Sequence, residues 1–232
     1  MAEINTPCKT DCHSCALKTE VFKTLDCNEV GQFKEDVNSV VFNKNENIYR
    51  KGTPATHVGF VKKGLVKIIS ESANGSFIIK IVPEGDFIGL PSVFGDKFFH
   101  TSAIALIESE ICFINKSLFE ELIKTNSNFA RKIVEINCIS ELQSVDRIAG
   151  LIRKQLPGRL ADVLLFFSKT FFKNDTFELP MTRTELADFI GVSKKSFIRT
   201  MTEFKNDRLI DTNGRIIKIL EAELLERLSK LG

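Results

Sequence analysis

The chain holds 232 residues, 43% of them hydrophobic and 27% charged, with 32 Lys and Arg against 30 Asp and Glu for a net charge of +2. That length exceeds one average domain, and the apolar share is enough for real cores. No run reaches the ~20 consecutive apolar residues of a membrane span, and the opening MAEINTPCKTDCHSC lacks the apolar centre of a secretion signal, so the cytoplasm is the expected compartment.

Four of the six cysteines, Cys8, Cys12, Cys15 and Cys27, crowd into an N-terminal arm, residues 1–27. Cytoplasmic thiols stay reduced, so these read as buried, redox-sensing or metal-binding groups and not as a disulfide framework. Within an expected sensor domain of residues 28–125, residues 38–115 have a β texture. The runs SVVF, VGFVKKG, LVKIIS, SFIIKIV and EICFI alternate with the turn signals KGTPA, ANGS, PEGD and FGDK, the spacing of an antiparallel sandwich or roll.

From Ser117 the period changes to helical. A segment over residues 126–156, ended by Pro157-Gly158, carries the apolar stripe Phe129, Ile133, Ile136, Leu142, Val145, Ile148 and Ile152. Thirty residues would reach ~45 Å, longer than one small domain needs, so part of that stripe is expected to meet a second copy of the chain. Residues 157–232 then form the last expected domain. In GRLADVLLFFSKTFF, the side chains of Leu160, Val163, Leu164, Phe167 and Phe171 are available to support the C-terminal helices.

Residues 181–204 read as two short helices about a tight turn. Thr182 followed by Glu185 is a capping box, Leu186, Phe189 and Ile190 form an apolar face, Gly191 turns the backbone, and Ser193 can cap a second helix starting near Lys194. Phe197, Met201 and Phe204 recur as its buried stripe, leaving Lys195, Ile198, Arg199 and Thr202 on the other side. In a major groove Lys194, Lys195 and Arg199 would meet phosphates and base edges, and Ser193 and Ser196 phosphate oxygens. RLIDTNGRIIKIL then gives a hairpin about Asn213-Gly214, which would serve as a wing. Residues 194–218 hold seven cations against three acids, a local excess of +4, and this footprint counts for more than total charge in nucleic-acid binding.

The order of parts resembles the Crp/Fnr family of bacterial transcription regulators over nearly the whole chain. GDFIG at 85–89 with TSA at 101–103 looks like that family's small-molecule cassette, and TRTELADFIGVSKKSFIRTM like its helix-turn-helix. The resemblance implies an α+β protein of two domains. A β-roll sensor of the cyclic-nucleotide-binding type is followed by a long dimerisation helix and a C-terminal winged helix that reads a palindromic DNA site as a homodimer, with RNA polymerase as a further partner. By position, Thr182 and Arg183 would touch phosphate, and Ser193, Lys194, Lys195, Ser196 and Arg199 would line the groove. Lys195 stands where many members carry Glu, so no operator sequence transfers. The cassette residues are Gly85, Phe87, Gly89, Leu90, Thr101 and Ser102. Leu90 and Thr101 replace the ribose-binding Glu and the phosphate-binding Arg of the cyclic-nucleotide branch, so tight cAMP binding is not expected.

The cysteines resemble the iron-sulfur branch, with Cys112 at its strand position, but Cys8, Cys12, Cys15 and Cys27 do not keep its spacing. An iron-sulfur cluster, zinc, and unliganded reduced thiols all remain open. Two other readings compete. A cupin-type metal enzyme would need more ligands than His13, His57 and His100 supply, and a cyclic-nucleotide module acting through protein partners would leave the C-terminal helices without a DNA role.

Overall fold

A computed structural model describes residues 19–72 and 75–232. The chain forms two compact units, one of residues up to Ser76 with Lys80–Glu141, the other of Phe77–Ile79 with Leu142–Gly232. Among the described residues no helix is long and apolar enough to cross a membrane.

In the first unit, α1 (Cys27–Asp36) opens behind a capping box in which Asp26 accepts the amide hydrogens of Asn28 and Glu29 and the Glu29 carboxylate accepts that of Asp26. Eight strands follow: β1 (Val37–Phe42), β2 (Asn47–Tyr49), β3 (His57–Lys63), β4 (Leu65–Ser72), β5 (Gly75–Pro83), β6 (Phe87–Ile88), β7 (Ser102–Ala105) and β8 (Ser109–Asn115). They form two four-stranded sheets, β1-β8-β3-β6 and β2-β7-β4-β5, and the alternation read in the sequence becomes the expected antiparallel roll. Helix α2 (Leu90–Gly95) sits between β6 and β7, and α3 (Lys116–Thr125), capped by Asn115, follows β8.

The core of this unit is aromatic. Phe22 meets Phe60 edge-on at 4.9 Å, and Phe119 meets Phe129 at 5.3 Å, both T-shaped contacts favoured by the ring quadrupole. Phe129 and Ile133 belong to the start of the long helix α4 (Ser127–Arg153) and are buried there. Its 27 residues span ~40 Å at the usual rise. Farther along, the same stripe is bare: Leu142 is 64% exposed and Ile152 78%, with Val145 and Ile148 also exposed.

The second unit begins with the rest of α4 and continues with α5 (Leu156–Leu165). The long helix ends at Arg153, just ahead of the break expected at Pro157-Gly158, and a new helix starts at Leu156. Pro157 lies in the first turn of α5, where its missing amide hydrogen would have no partner in any case, and Gly158 lets α5 approach the C-terminal helix α8 (Ala222–Leu231), since a Cβ there would stand 2.9 Å from the Leu228 carbonyl oxygen. A π-helical turn, Phe166–Phe172, ends the segment, with Phe172 stacked on Phe177 at 5.4 Å. Strand β9 (Thr176–Glu178), helices α6 (Arg183–Phe189) and α7 (Lys194–Asn206), and the hairpin β10 (Ile210–Asn213) and β11 (Ile216–Ile219) complete the unit in the sheet order β10-β11-β9. This is the expected winged helix.

Candidate nucleic-acid interface

Local chemistry fixes the two interface helices. Thr182 Oγ1 accepts the amide hydrogen of Glu185 at 3.2 Å while the Glu185 carboxylate accepts that of Thr182 at 2.8 Å, so the capping box forms as read. Gly191 takes φ +68°, a left-handed value that suits glycine. Ser193 Oγ then accepts the amide hydrogen of Ser196 at 3.1 Å and shares a 2.9 Å contact with its hydroxyl. Both serines expected at phosphate are therefore partly engaged in opening α7.

Two arginines that sequence reasoning missed hold the turn. Arg147, on α4, donates to the Phe189 carbonyl at 2.8 Å with its guanidinium 4.1 Å from the centre of the Phe189 ring. Arg159, on α5, donates to the Ile190 carbonyl at 2.7 Å. The carbonyls at a helix end lack helical partners and carry partial negative charge, which cations relieve. Burial lowers the Arg147 pKa to about 10, which leaves it charged at neutral pH. Both contacts join positions tens of residues apart, and no local spacing signals them.

Along α7, Phe197, Thr200 and Phe204 are buried. Thr200 takes the place expected of Met201, because the buried arc is centred between Phe197 and Phe204 and Met201 falls on its flank, lining a recess beside Thr212 and Gly214 of the hairpin. Lys195 and Arg199, opposite this arc, and Lys194, at its side, are exposed, as are Thr182 and Arg183 at the start of α6. Lys194 and Lys195 make no hydrogen bond or ion pair among the described residues, and Arg199 Nε stands 3.5 Å from Glu203 with 75% of its side chain exposed. A pair that open is worth little and can exchange for a phosphate or a base.

Other cations of the +4 stretch are committed elsewhere. Lys205 donates to the Thr212 carbonyl at 3.0 Å and pairs with Asp211 at 3.1 Å, and this hydrogen bond, with a further one from the Thr212 amide, holds the Asp211 carboxyl below the usual carboxylate range. Arg215 donates to the Leu179 carbonyl at 2.7 Å and faces Glu178 at 3.4 Å. The hairpin turn is also shifted one residue from the expected Asn213-Gly214. Asn213 pairs with Ile216, so Gly214 and Arg215 are the central residues, with Gly214 at φ +62°. A single positive φ at the first position is the type II′ arrangement, which leaves Asn213 extended in β10.

The cassette residues of the first unit divide between core and sheet. Phe87 packs at 5.3 Å from Phe60 and 5.8 Å from Phe119, and Leu90 is buried in the same cluster. Gly85 and Gly89 hold φ of +92° and +84°, and a Cβ on Gly89 would stand 2.9 Å from the Phe99 ring. Thr101 bonds to Tyr49, whose phenol burial pushes up to about 12. Ser102, buried, accepts the Lys51 amide hydrogen at 2.9 Å and donates to the Glu71 carboxylate at 2.7 Å. A carboxylate of the chain itself therefore occupies Ser102. An open cavity of about 480 Å³ nearby is lined by Tyr49, Arg50, His57 and Phe99 among others, and by none of the six cassette residues.

Cys8, Cys12 and Cys15 lie outside the described residues, as does the side chain of Cys27. Cys112 is half-buried on β8, with its thiol 3.8 Å from Ser39 Oγ.

A family model described as "Cyclic nucleotide-binding domain" matches residues 39–126, and one described as "Crp-like helix-turn-helix domain" matches residues 158–228. The chain belongs to the Crp/Fnr family.

Similar Crp/Fnr proteins align along almost all of it. Electron transport regulator A of Shewanella oneidensis is 25% identical over 230 residues, 96% of this chain and 91% of its own. The nitrogen fixation regulation protein FixK of Bradyrhizobium diazoefficiens is 25% identical over 224 residues, 94% of this chain and 93% of its own. In fold, the structure of FixK2 from Bradyrhizobium japonicum covers 83% of this chain and 96% of its own length at a TM-score of 0.76 and 23% identity. Crp/Fnr proteins are transcription regulators, which sets aside the cupin-type enzyme reading.

Proposed function

We propose that this Crp/Fnr regulator works in the cytoplasm as a homodimer that reads a palindromic DNA site with two copies of α7. The observation that carries this reading is the exposed face of Lys194, Lys195 and Arg199 on a helix whose entry is fixed by the Ser193 cap and by the two arginines behind the turn. Thr182, Arg183, Ser193 and Ser196 stand beside it for phosphate contacts. The bare stripe from Leu142 to Ile152 supports dimerisation through α4, and a dimer so held can set two recognition helices ~34 Å apart, one turn of the duplex.

The β-roll, with its cassette at Gly85, Phe87, Gly89, Leu90, Thr101 and Ser102, responds to an effector other than cAMP or to redox change at the cysteines. The names of the Shewanella and Bradyrhizobium relatives, which concern electron transport and nitrogen fixation, favour a redox-linked role. RNA polymerase is the partner through which bound regulator would alter transcription. The test is electrophoretic mobility shift with total genomic fragments over a series of salt concentrations. Four exposed cations per subunit (Arg183, Lys194, Lys195, Arg199) predict a slope of log K against log salt of about −7 for the dimer, on the usual ~0.9 per neutralised phosphate. A protein that retains no fragment at low salt is not a DNA reader.

A further inference from the structure

On the exposed side of α7 one side chain has no hydrogen-bonding capacity. Ile198 is 37% exposed, lies one helical turn after Lys194, and adjoins Arg199 in sequence. At ~100° per residue it falls between Lys194 and Lys195 on the exposed side of the helix, away from Phe197, Thr200 and Phe204. It also rims the recess of about 80 Å³ that Arg183, Met201 and Gly214 help to line.

Thr202, one turn farther on, turns its hydroxyl back to the Ile198 carbonyl at 2.9 Å, so this donor is spent within the helix. A single exposed isoleucine is ordinary on a protein surface. Set amid a cationic face, however, it interrupts an otherwise polar patch. A β-branched chain in a helix is held in one χ1 rotamer about nine times in ten, so little freedom is lost when it meets a partner.

The major groove offers one apolar feature, the C5-methyl group of thymine. We propose that Ile198 is a specificity-determining residue that packs against a thymine methyl group, once in each half-site. This rests on the DNA-reading role of α7. Ile198 selects thymine over cytosine by contact with carbon and not by a hydrogen bond, while Lys194, Lys195 and Arg199 supply phosphate and base-edge bonds around it.

The experiment uses the full chain and a pool of random-sequence duplexes. After the preferred palindrome is selected, each symmetric thymine pair is replaced in turn by deoxyuridine, which removes the methyl group and leaves every hydrogen-bonding atom in place. For the wild type, one such pair should lower affinity about fifteenfold, about fourfold per half-site from the transfer of one methyl-sized group. Ile198→Ala should bind the thymine and deoxyuridine duplexes equally, and Ile198→Val should keep part of the difference. Circular dichroism confirms that both variants are folded.

Wild-type affinity unchanged at every deoxyuridine position, or an Ile198→Ala variant as sensitive as the wild type, overturns the assignment. Failure of the wild type to select any duplex overturns the DNA-reading role, and this inference with it.

Discussion

The guanidinium of Arg147 lies 4.1 Å from the centre of the Phe189 ring and donates to the Phe189 carbonyl at 2.8 Å, so the far part of the long helix holds the last turn of α6. Arg147→Ala should lower stability by at least ~2 kcal/mol, because its charged hydrogen bonds to the Ile78, Ile79 and Phe189 carbonyls and its contact with the Phe189 ring are lost together, partly offset by relief from burial. Arg147→Lys should recover only part of this, because an ammonium group lacks the flat fork that serves ring and carbonyl together. Urea unfolding measures both, and an alanine variant as stable as the wild type would show that the contact contributes nothing.

Arg199 offers the forked donor that suits guanine in a major groove. Arg199→Ala should weaken binding by roughly 1–3 kcal/mol and relax preference at one position of each half-site. Selection from random duplexes reads this out directly. A variant that keeps the full consensus removes Arg199 from base recognition.

Glu71 on Ser102, Leu90 in the aromatic core and the absence of a cation at Thr101 together predict that cAMP does not bind tightly. An incoming phosphate would have to displace a carboxylate of its own charge with no arginine at position 101 to compensate. Calorimetry should show no micromolar binding, and a stoichiometric micromolar signal would refute this account of the cassette.

Glu110 accepts from Lys62 and from Ser39, each at 2.6 Å, and these bonds lower its pKa below the ordinary carboxylate value, the lysine first. A depressed carboxylate stabilises the fold above its unfolded-state pKa and loses that contribution as pH falls through the folded value. Glu110→Gln should therefore cost up to ~1 kcal/mol at pH 7, with the gap to wild type closing in acid below the usual carboxylate range. Urea unfolding at a series of pH values tests the sign, and a gap that widens on acidification would contradict it.

Much of this arrangement was legible because its signals are local. The Thr182–Glu185 box, the Ser193 cap, the Gly191 turn and the apolar runs of β3, β4, β5 and β8 between turn residues each depend on a few neighbouring residues. Strands β2, β6 and β7, of two to four residues, are too short to show a period. The Arg147 and Arg159 contacts and the Glu71–Ser102 bond are tertiary and carry no spacing. Arg208, at φ +56° just after α7, adopts a conformation that its residue type does not announce. The exchange of Met201 for Thr200 and the shifted hairpin turn show where a periodic reading falls one residue short.

The uncovered side of α4, from Leu142 to Ile152, has an effect beyond assembly. Where folding and pairing draw on the same apolar surface, they form one equilibrium, and the melting temperature rises with the amount of protein present. For the homodimer proposed above, abundance then acts as a signal in its own right: a cell that makes few copies would leave them both unpaired and fragile.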